Sequence, residues 1–324
     1  MHDNIKKAVL MHRLFYCLWP PAILGTCRGY HYNSPLISHP ESRVLNRLAV
    51  SLQYLLPKQA ITVFAGWVAN ARMGWITTAI IRWFVARYKV NMQEAVEPDI
   101  GRYGSFNEFF TRPLRPDARP AAEASWLCPV DGAISQIGHI VGDQIFQAKG
   151  HHYSTTALLA GNQALADEFQ DGHLATLYLS PRDYHRIHMP CDGRLLRMTY
   201  VPGDLFSVNP VTAQGVPGLF ARNERVVCEF DSAHGKFVLV LVGATIVGSM
   251  ATTWHGVVNP PRPGNISVWE YAEHQIHLKQ NEEMGRFLLG STVVLLFPAQ
   301  PLQFNPLWQE GRPIRLGETM ANKG

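Results

Sequence analysis

The chain has 324 residues with a formal net charge of +4 at pH 7, and 17% of its residues are charged. This length allows one large domain with additions, or two domains, around a substantial buried core. No run approaches the roughly 20 apolar residues that cross a bilayer, so we predict no membrane-spanning helix.

The cysteines and the positive charge set further limits. The five cysteines are odd in number and include no Cys-x-x-Cys pair, which indicates neither a disulfide framework nor a thiolate zinc site. A reducing compartment fits this pattern best. A mildly basic chain suits an anionic membrane surface or a nucleic acid equally well, but nothing in the sequence resembles a base-reading motif, so we predict no nucleic-acid partner.

The first patterned region runs from Arg43 to Val96 and has helical spacing. Leucines recur every three or four residues up to Pro57, which ends the first segment. Basic and aromatic residues are frequent throughout the region: Arg43, Arg47, Lys58, Phe64, Trp67, Arg72, Trp75, Arg82, Trp83, Phe84, Arg87 and Lys89. This amphipathic composition is typical of a helix in a lipid headgroup layer, and equally of a helical region packed on a protein core.

A change of composition near residue 106 predicts a boundary. Residues 106–115 indicate a short helix that leads into a proline-spaced linker ending near residue 120. One helix is expected at 154–169, with Ser154 as its cap. Short apolar runs separated by Gly and Pro predict strands at 133–140, 174–179, 193–200, 225–230, 236–246 and 287–297. We therefore predict an α+β fold, in which an N-terminal amphipathic helical region precedes a β-rich sandwich or flattened barrel.

Three short stretches carry residues that suit acid-base and nucleophilic chemistry. Residues 127–135 contain Asp131 before a glycine, a pair more often found in turns. Residues 179–191 contain His185 and His188, which exchange protons near neutral pH. The third stretch places Gly290 and Ser291 between two strand-like pieces, so that a hydroxyl follows a glycine kink.

The histidine pair also raises the alternative of a zinc site. A His-x-x-His pair lacks the four-residue helical spacing of the common zinc motif, and no third ligand is evident. We therefore predict no metal.

The three stretches, together with residues 106–115 and 283–292, resemble the phosphatidylserine decarboxylase family over about residues 43–318. The resemblance implies self-cleavage between Gly290 and Ser291 into a β chain, residues 1–290, and an α chain, residues 291–324. We divide the chain into an extension at 1–42, a membrane-associating helical region and linker at 43–120, and a catalytic domain at 121–324. Residues 1–42 have no counterpart in the shorter bacterial members, and we interpret them as a tail, a weakly basic leader or upstream sequence from a misplaced start.

The resemblance also implies a role for each site residue. Asp131, His188 and Ser291 correspond to the set that performs self-cleavage with the logic of a hydrolase triad. Asp131 would fix the imidazole tautomer, and His188 would take the proton of Ser291 so that its oxygen attacks the preceding carbonyl. Ser291 would then become a covalent pyruvoyl group, the one cofactor implied. His185 is assigned as the proton donor in decarboxylation.

The implied reaction converts phosphatidylserine in the bilayer to phosphatidylethanolamine and CO2, through a Schiff base between the lipid amine and the pyruvoyl ketone. The implied location is peripheral, on the cytoplasmic face of the bacterial inner membrane. The partners are the lipid and the α and β chains of one precursor, and homodimer formation is left open. Arg222 or Arg225 would meet the headgroup phosphate or pair with an acid, while Leu205 and Phe206 would contact lipid tails or pack in the core.

Two rival functions use the same residue types. A serine hydrolase or acyltransferase acting on lipids needs a similar triad, but Ser291 lacks the Gly-x-Ser-x-Gly nucleophile elbow. A membrane-surface binding protein with an inactive processing site is the second rival. Asp131, His188 and Ser291 are all present, which argues against the loss of the processing activity.

Overall fold

The computed structural model describes residues 50–51, 53–148, 150–245, 249–258, 264–288 and 292–324. The predicted extension at 1–42 and the scission residues Gly290 and Ser291 lie outside these ranges. Within them the chain is helical first and then mainly β, which confirms the predicted α+β class with N-terminal helices.

Two helices form most of the N-terminal region. Helix α1 (Lys58–Asn70) starts directly after Pro57, and α2 (Trp75–Tyr88) ends where Lys89 adopts a left-handed conformation with φ of 55°. Each helix buries one stripe of small and apolar side chains and leaves the opposite face exposed. The buried residues are Thr62, Ala65, Val68 and Ala69 in α1 and Ile76, Thr77, Ile81 and Phe84 in α2. No helix in the described ranges has the length and apolar character needed to span a bilayer.

Helix α3 (Phe106–Phe110) connects this region to the rest of the protein. Ser105 caps it, because the Ser105 hydroxyl accepts a hydrogen bond from the Glu108 N–H at 3.1 Å. Its three phenylalanines pack edge-on against Phe84 of α2, with ring centroids 5.1 to 6.1 Å apart. Two short 3-10 helices, Met92–Glu94 and Ile100–Arg102, lie between α2 and α3.

The chain after α3 is mainly β. Its strands are β1 (Trp126–Leu127), β2 (Gly132–His139), β3 (Gln144–Ala148), β4 (His151–Ser154), β5 (His173–Tyr178), β6 (Arg186–His188), β7 (Gly193–Val201), β8 (Arg225–Asp231), β9 (Phe237–Val242), β10 (Met250–Thr252), β11 (Gly256–Val257), β12 (Ser267–Glu270), β13 (His277–Leu278), β14 (Glu283–Phe287), β15 (Thr292–Phe297), β16 (Leu302–Phe304), β17 (Pro313–Ile314) and β18 (Thr319–Lys323). Its helices are α4 (Thr155–Leu158), α5 (Gln163–Asp167), α6 (Pro210–Gly215) and α7 (Leu219–Arg222).

The largest sheet has the order β12-β7-β8-β9-β15-β5-β2-β17, with β13 also paired to β7. Its neighbouring strands are antiparallel throughout. The order has two ends, so within the described residues the sheet does not close into the flattened barrel that the sequence offered as one alternative. The smaller sheets have the orders β1-β18-β16, β11-β10-β14-β6 and β3-β4.

Strand β15 lies in the middle of the large sheet and is buried on both faces. Val294 and Leu296 belong to an apolar cluster shared with α1, α2 and α3, whereas Val293, Leu295 and Phe297 belong to a second cluster on the other face. Alternation of side chains along a strand explains this division. The functional site described next lies at the N-terminal end of this doubly covered strand.

The helix predicted at 154–169 is wrong in one respect, because two short helices occupy the range. Ala160 and Gly161, with φ of 65° and 82°, interrupt the helix between α4 and α5. Ser154 caps the first helix as predicted, accepting a hydrogen bond from the Ala157 N–H at 3.0 Å.

Candidate active site

The predicted scission bond lies in the connection between β14 and β15. Gly290 and Ser291 are outside the described residues, but Phe287 and Thr292 on either side belong to strands. The Phe287 N–H donates a hydrogen bond to the His185 carbonyl at 3.0 Å. The chain before the bond therefore runs beside the histidine segment.

The chain after the bond starts beside the aspartate segment. Thr292 pairs with Tyr178 of β5, and Ala133 of β2 pairs with the same Tyr178. Ala133 follows Asp131 by two residues, so Asp131 lies near the start of β15. The glycine between them is required, because a Cβ at Gly132 would clash with the Tyr178 carbonyl oxygen.

The aspartate and histidine segments also meet each other. The His188 N–H donates to the Pro129 carbonyl at 2.9 Å, and Pro129 precedes Asp131 by two residues. The fold therefore brings together Asp131, both histidines and the two strands that flank the predicted scission bond.

Asp131 is buried in an ion pair. Arg119 donates from Nε to Oδ1 at 2.9 Å and from Nη2 to Oδ2 at 2.6 Å, and the Leu316 N–H donates to Oδ1 at 2.9 Å. Arg119 Nη2 also donates to Glu94 at 2.7 Å. A bidentate pairing of this kind fixes the carboxylate in place and keeps it supplied with donors. Leu316 belongs to the predicted α chain, so Asp131 also links the two prospective chains.

Sequence reasoning missed Arg119 and Glu94. The proline-spaced residues 113–120 predict a linker, whereas Arg119 within them faces the site. Arg112 directly precedes this stretch and Arg115 lies within it, and no pattern in the sequence separates these arginines from Arg119. Only the folded chain shows which one meets Asp131.

His188 is held as a neutral imidazole with one basic nitrogen. Its Nδ1 lies 2.7 Å from the Asn281 carbonyl oxygen, which only accepts, so Nδ1 carries the proton. Its Nε2 lies 3.2 Å from the Tyr184 hydroxyl, which donates to it. Burial lowers the pKa of His188, and burial raises the pKa of Tyr184 to about 12, so both remain neutral near pH 7.

The partner expected to fix the tautomer of His188 is not the one observed. The prediction gave this task to Asp131, but Arg119 and the Leu316 N–H occupy its oxygens, and the Asn281 carbonyl fixes the tautomer instead. The place of Asp131 in the self-cleavage set stays a prediction.

His185 is fully buried and keeps one nitrogen without a partner. Its Nδ1 donates to the Asp183 carbonyl at 2.8 Å, while Nε2 has no hydrogen-bond partner among the described residues. The ring packs against Phe110 of α3, with centroids 4.1 Å apart. Burial lowers the pKa of His185 to about 3, so the imidazole is neutral and Nε2 is an acceptor. As a proton donor His185 must first receive a proton at Nε2.

The side chains proposed for lipid recognition have other partners. Arg225 donates to three backbone carbonyls at 2.6 to 3.0 Å, and Arg222 pairs with Asp204 at 3.1 Å. Leu205 and Phe206 are buried, which fits the alternative of core packing. The structural alternative therefore describes Arg222, Leu205 and Phe206. Arg225 is also held structurally, but by backbone carbonyls rather than by the acid that the alternative named.

The described site offers a neutral base, an ion-paired carboxylate and an imidazole with one nitrogen that lacks a partner among the described residues. Together these groups suit proton transfer and activation of a hydroxyl. Among the residues that the structure describes, no group of three His, Cys, Asp or Glu side chains is placed to hold a metal ion.

Comparison with known proteins identifies a family and several similar chains. Residues 106–322 match the family described as phosphatidylserine decarboxylase, and residues 48–89 match one described as PSD. A phosphatidylserine decarboxylase proenzyme of Variovorax paradoxus (strain S110) is 72% identical over 277 residues, which cover 86% of this chain and 98% of the relative. The proenzyme of Methylibium petroleiphilum is 72% identical over 275 residues, covering 85% and 97%, and that of Dechloromonas aromatica is 69% identical over 277 residues, covering 86% and 98%.

Proposed function

Because the chain belongs to the phosphatidylserine decarboxylase family, we propose that it is made as a precursor that cleaves itself between Gly290 and Ser291 and then converts phosphatidylserine to phosphatidylethanolamine and CO2. The convergence of the flanking strands on the His188 and Asp131 segments supports this proposal most directly. The hydrolase and non-processing alternatives are not favoured, since the similar proteins are named decarboxylase proenzymes.

In the proposed self-cleavage, His188 Nε2 takes the hydroxyl proton of Ser291, and the Ser291 oxygen attacks the Gly290 carbonyl. The acyl group moves from nitrogen to oxygen. The ester then loses the α-proton of residue 291 and expels the Gly290 carboxylate, which leaves dehydroalanine. Tautomerisation and hydrolysis by one water release ammonia and leave the pyruvoyl group. His188 suits the first step because Nδ1 holds its proton against the Asn281 carbonyl, which leaves Nε2 unprotonated and able to accept the Ser291 proton.

We assign Asp131 to this step through its charge and its position. Burial lowers the pKa of His188, and the hydrogen bond to the Asn281 carbonyl opposes that effect most strongly. The charge of Glu283 and, less strongly, that of Asp131 oppose it as well, so that Asp131 limits the loss of basicity. The hydrogen bond from the Leu316 N–H to Asp131 would also hold residues 291–324 to the rest of the protein after cleavage.

Thr292, which begins β15, and His185, whose carbonyl accepts a hydrogen bond from Phe287 of β14, would suit a pyruvoyl group. Thr292 Oγ1 and His185 Nε2 are buried polar atoms without hydrogen-bond partners among the described residues, and such atoms usually find one. The group supplies a ketone that accepts electrons when CO2 leaves the substrate. His185 Nε2 would take a proton from the substrate ammonium and return it to the carbon that loses CO2, so the expected donor acts first as an acceptor.

The first test of this function is the mass of the purified protein together with its activity. We expect one chain that ends at Gly290 and a second chain, residues 291–324, whose N-terminus is blocked. Vesicles that contain carboxyl-labelled phosphatidylserine should release labelled CO2 in proportion to the cleaved protein. A lipid hydrolase would stay intact and release fatty acid, and either result would refute the proposal.

We also propose peripheral attachment to the cytoplasmic face of the bacterial inner membrane. Leu55, Val63, Trp67 and Trp75 in and around α1 and α2 are 55 to 84% exposed. Arg82 of α2 and the neighbouring Lys89 are exposed as well. Exposed apolar side chains beside basic ones suit an anionic lipid surface.

Replacing both Trp67 and Trp75 by Ser should weaken binding to anionic vesicles by roughly tenfold, because the apolar area that enters the lipid is lost. Co-sedimentation with vesicles measures this effect. Leu307→Ser is the control, because Leu307 is 64% exposed, close to the 65% of Trp75, but lies near the C-terminus. Equal losses in the double variant and the control would show that the helical face has no special part in binding.

A further inference from the structure

Arg112 is a buried cation without a direct ion pair among the described residues. Burial lowers its pKa, and the more distant charges of Asp131, Asp183 and Glu94 oppose that effect in part. Arg112 is 3% exposed, and no acidic side chain of the described residues forms an ion pair or a hydrogen bond with it. Its Nε has no partner there, and its two long contacts, from Nη1 to the Phe109 carbonyl and from Nη2 to the Arg182 carbonyl, are both 3.4 Å. Hydrogen bonds of this type are normally 2.7 to 3.2 Å long, so these contacts are weak.

Arg225 shows how the same protein buries an arginine for structure. It is also 3% exposed, but it donates to the carbonyls of Leu158, Asn223 and Ala157 at 2.7, 3.0 and 2.6 Å. Burial of a charge with poor partners is unfavourable. Arg112 is buried in this unfavourable way, whereas Arg225 has three short hydrogen bonds. A site that needs an arginine for a ligand explains this unfavourable burial.

Arg112 lies next to His185. Its Nη2 contacts the Arg182 carbonyl, and His185 Nδ1 donates to the carbonyl of the following residue, Asp183, at 2.8 Å. Successive rings of α3 cover the two groups: the Arg112 guanidinium lies 5.2 Å from the Phe109 ring centroid, and the Phe110 and His185 rings are 4.1 Å apart. An anion bound by Arg112 would therefore lie beside the histidine of the proposed reaction.

We propose that Arg112 binds the phosphodiester of the phosphatidylserine headgroup in the mature, cleaved enzyme. This inference rests on the proposed function. A planar guanidinium with free donors matches phosphate oxygens well. The binding that we propose belongs to the enzyme after the chain has been severed between Gly290 and Ser291.

The substrate carboxylate is the other anion of the headgroup, and it suits Arg112 less well. Decarboxylation converts this carboxylate into neutral CO2, so an arginine paired with it would stabilise the substrate more than the transition state. The phosphodiester keeps its charge throughout the reaction. Binding it holds the substrate without raising the barrier.

Phosphate binding would also affect His185. Burial lowers the pKa of His185, and the positive charge of Arg112 lowers it further. An anion on the guanidinium offsets that charge, so His185 would accept a proton more readily when substrate is bound. The same contact would then position the lipid and favour proton transfer.

The experiment compares Arg112→Met with wild-type protein after both have matured. We expect the KM for short-chain phosphatidylserine and the inhibition constant of short-chain phosphatidylethanolamine, which keeps the phosphodiester but lacks the carboxylate, to rise by the same factor of roughly 10 to 100. The melting temperature should stay equal or rise, because an unpaired buried charge is removed. Arg225→Met is the matched control and should lower the melting temperature without raising the KM of the folded fraction.

Three outcomes would overturn the inference. If the KM for phosphatidylserine rises while the inhibition constant of phosphatidylethanolamine is unchanged, Arg112 binds the substrate carboxylate instead. If neither value changes, Arg112 has no part in binding. If Arg112→Met and Arg112→Lys both fail to mature, the arginine serves folding or processing. Failure of the proposed function looks different, because the wild-type protein itself would then neither mature nor release CO2.

Discussion

Ser291→Ala should yield a single uncleaved chain without decarboxylase activity. Alanine lacks the hydroxyl that attacks the Gly290 carbonyl, and no pyruvoyl group can form from it. Mass analysis after prolonged incubation measures the uncleaved fraction, and labelled CO2 measures activity. Because the change removes one oxygen atom, we expect the melting temperature to remain close to that of a wild-type precursor captured before cleavage.

Thr292→Val is the matched control for this prediction. Thr292 carries the adjacent hydroxyl, which is buried without a partner among the described residues, and valine has nearly the same shape. This variant should still cleave. Cleavage of Ser291→Ala, or a complete block in Thr292→Val, would show that the nucleophile is assigned to the wrong residue.

Asp131→Asn distinguishes loss of the nucleophile from weakening of the base. It removes one of the weaker effects that raise the pKa of His188, and it leaves the hydrogen bond between His188 Nδ1 and the Asn281 carbonyl in place. We therefore expect slow cleavage, reduced by roughly 10- to 100-fold, rather than none. A rate equal to that of the wild type would remove Asp131 from the self-cleavage set.

The central strands of the large sheet were predictable because they are short apolar runs, whereas β12, β13 and β17 of the same sheet were not predicted. The predicted ranges 174–179 and 193–200 lie within one residue of β5 and β7 at each end. Strands buried on both faces give this pattern, since each face requires apolar side chains. The helix at 154–169 was predicted less well, because its break depends on the left-handed conformation of Ala160, which an alanine does not signal.

The residue types of the site were predictable, but their pairings were not. The sequence places Asp131 and His188 far apart, and only the resemblance to a known family joined them. Two of their hydrogen-bond partners, Leu316 and Asn281, lie in segments that carry no chemical signal of their own. Asn281 acts through its backbone carbonyl, and Leu316 acts through its N–H. Every residue except proline offers such groups, so only the register of the strands decides which of them faces a side chain.

Asparagine substitutions at the two histidines should separate maturation from decarboxylation. The asparagine side-chain amide can reproduce the donor at His Nδ1 and removes the nitrogen at Nε2. His185→Asn keeps a donor for the Asp183 carbonyl, so we expect it to fold and mature but to lose decarboxylase activity by about 10²- to 10⁴-fold. Gel analysis measures maturation, and labelled CO2 per mole of cleaved protein measures the reaction.

His188→Asn is the paired variant and should fail one step earlier. It keeps a donor for the Asn281 carbonyl but lacks the nitrogen that receives the Ser291 proton, so the chain should remain uncleaved. His185 Nδ1 lies 2.8 Å from the Asp183 carbonyl oxygen, and His188 Nδ1 lies 2.7 Å from that of Asn281. Both variants preserve a donor for the respective carbonyl. A difference between them therefore reports on the lost Nε2 rather than on folding. If His185→Asn stays uncleaved while His188→Asn matures, the two imidazoles have been assigned to the wrong steps.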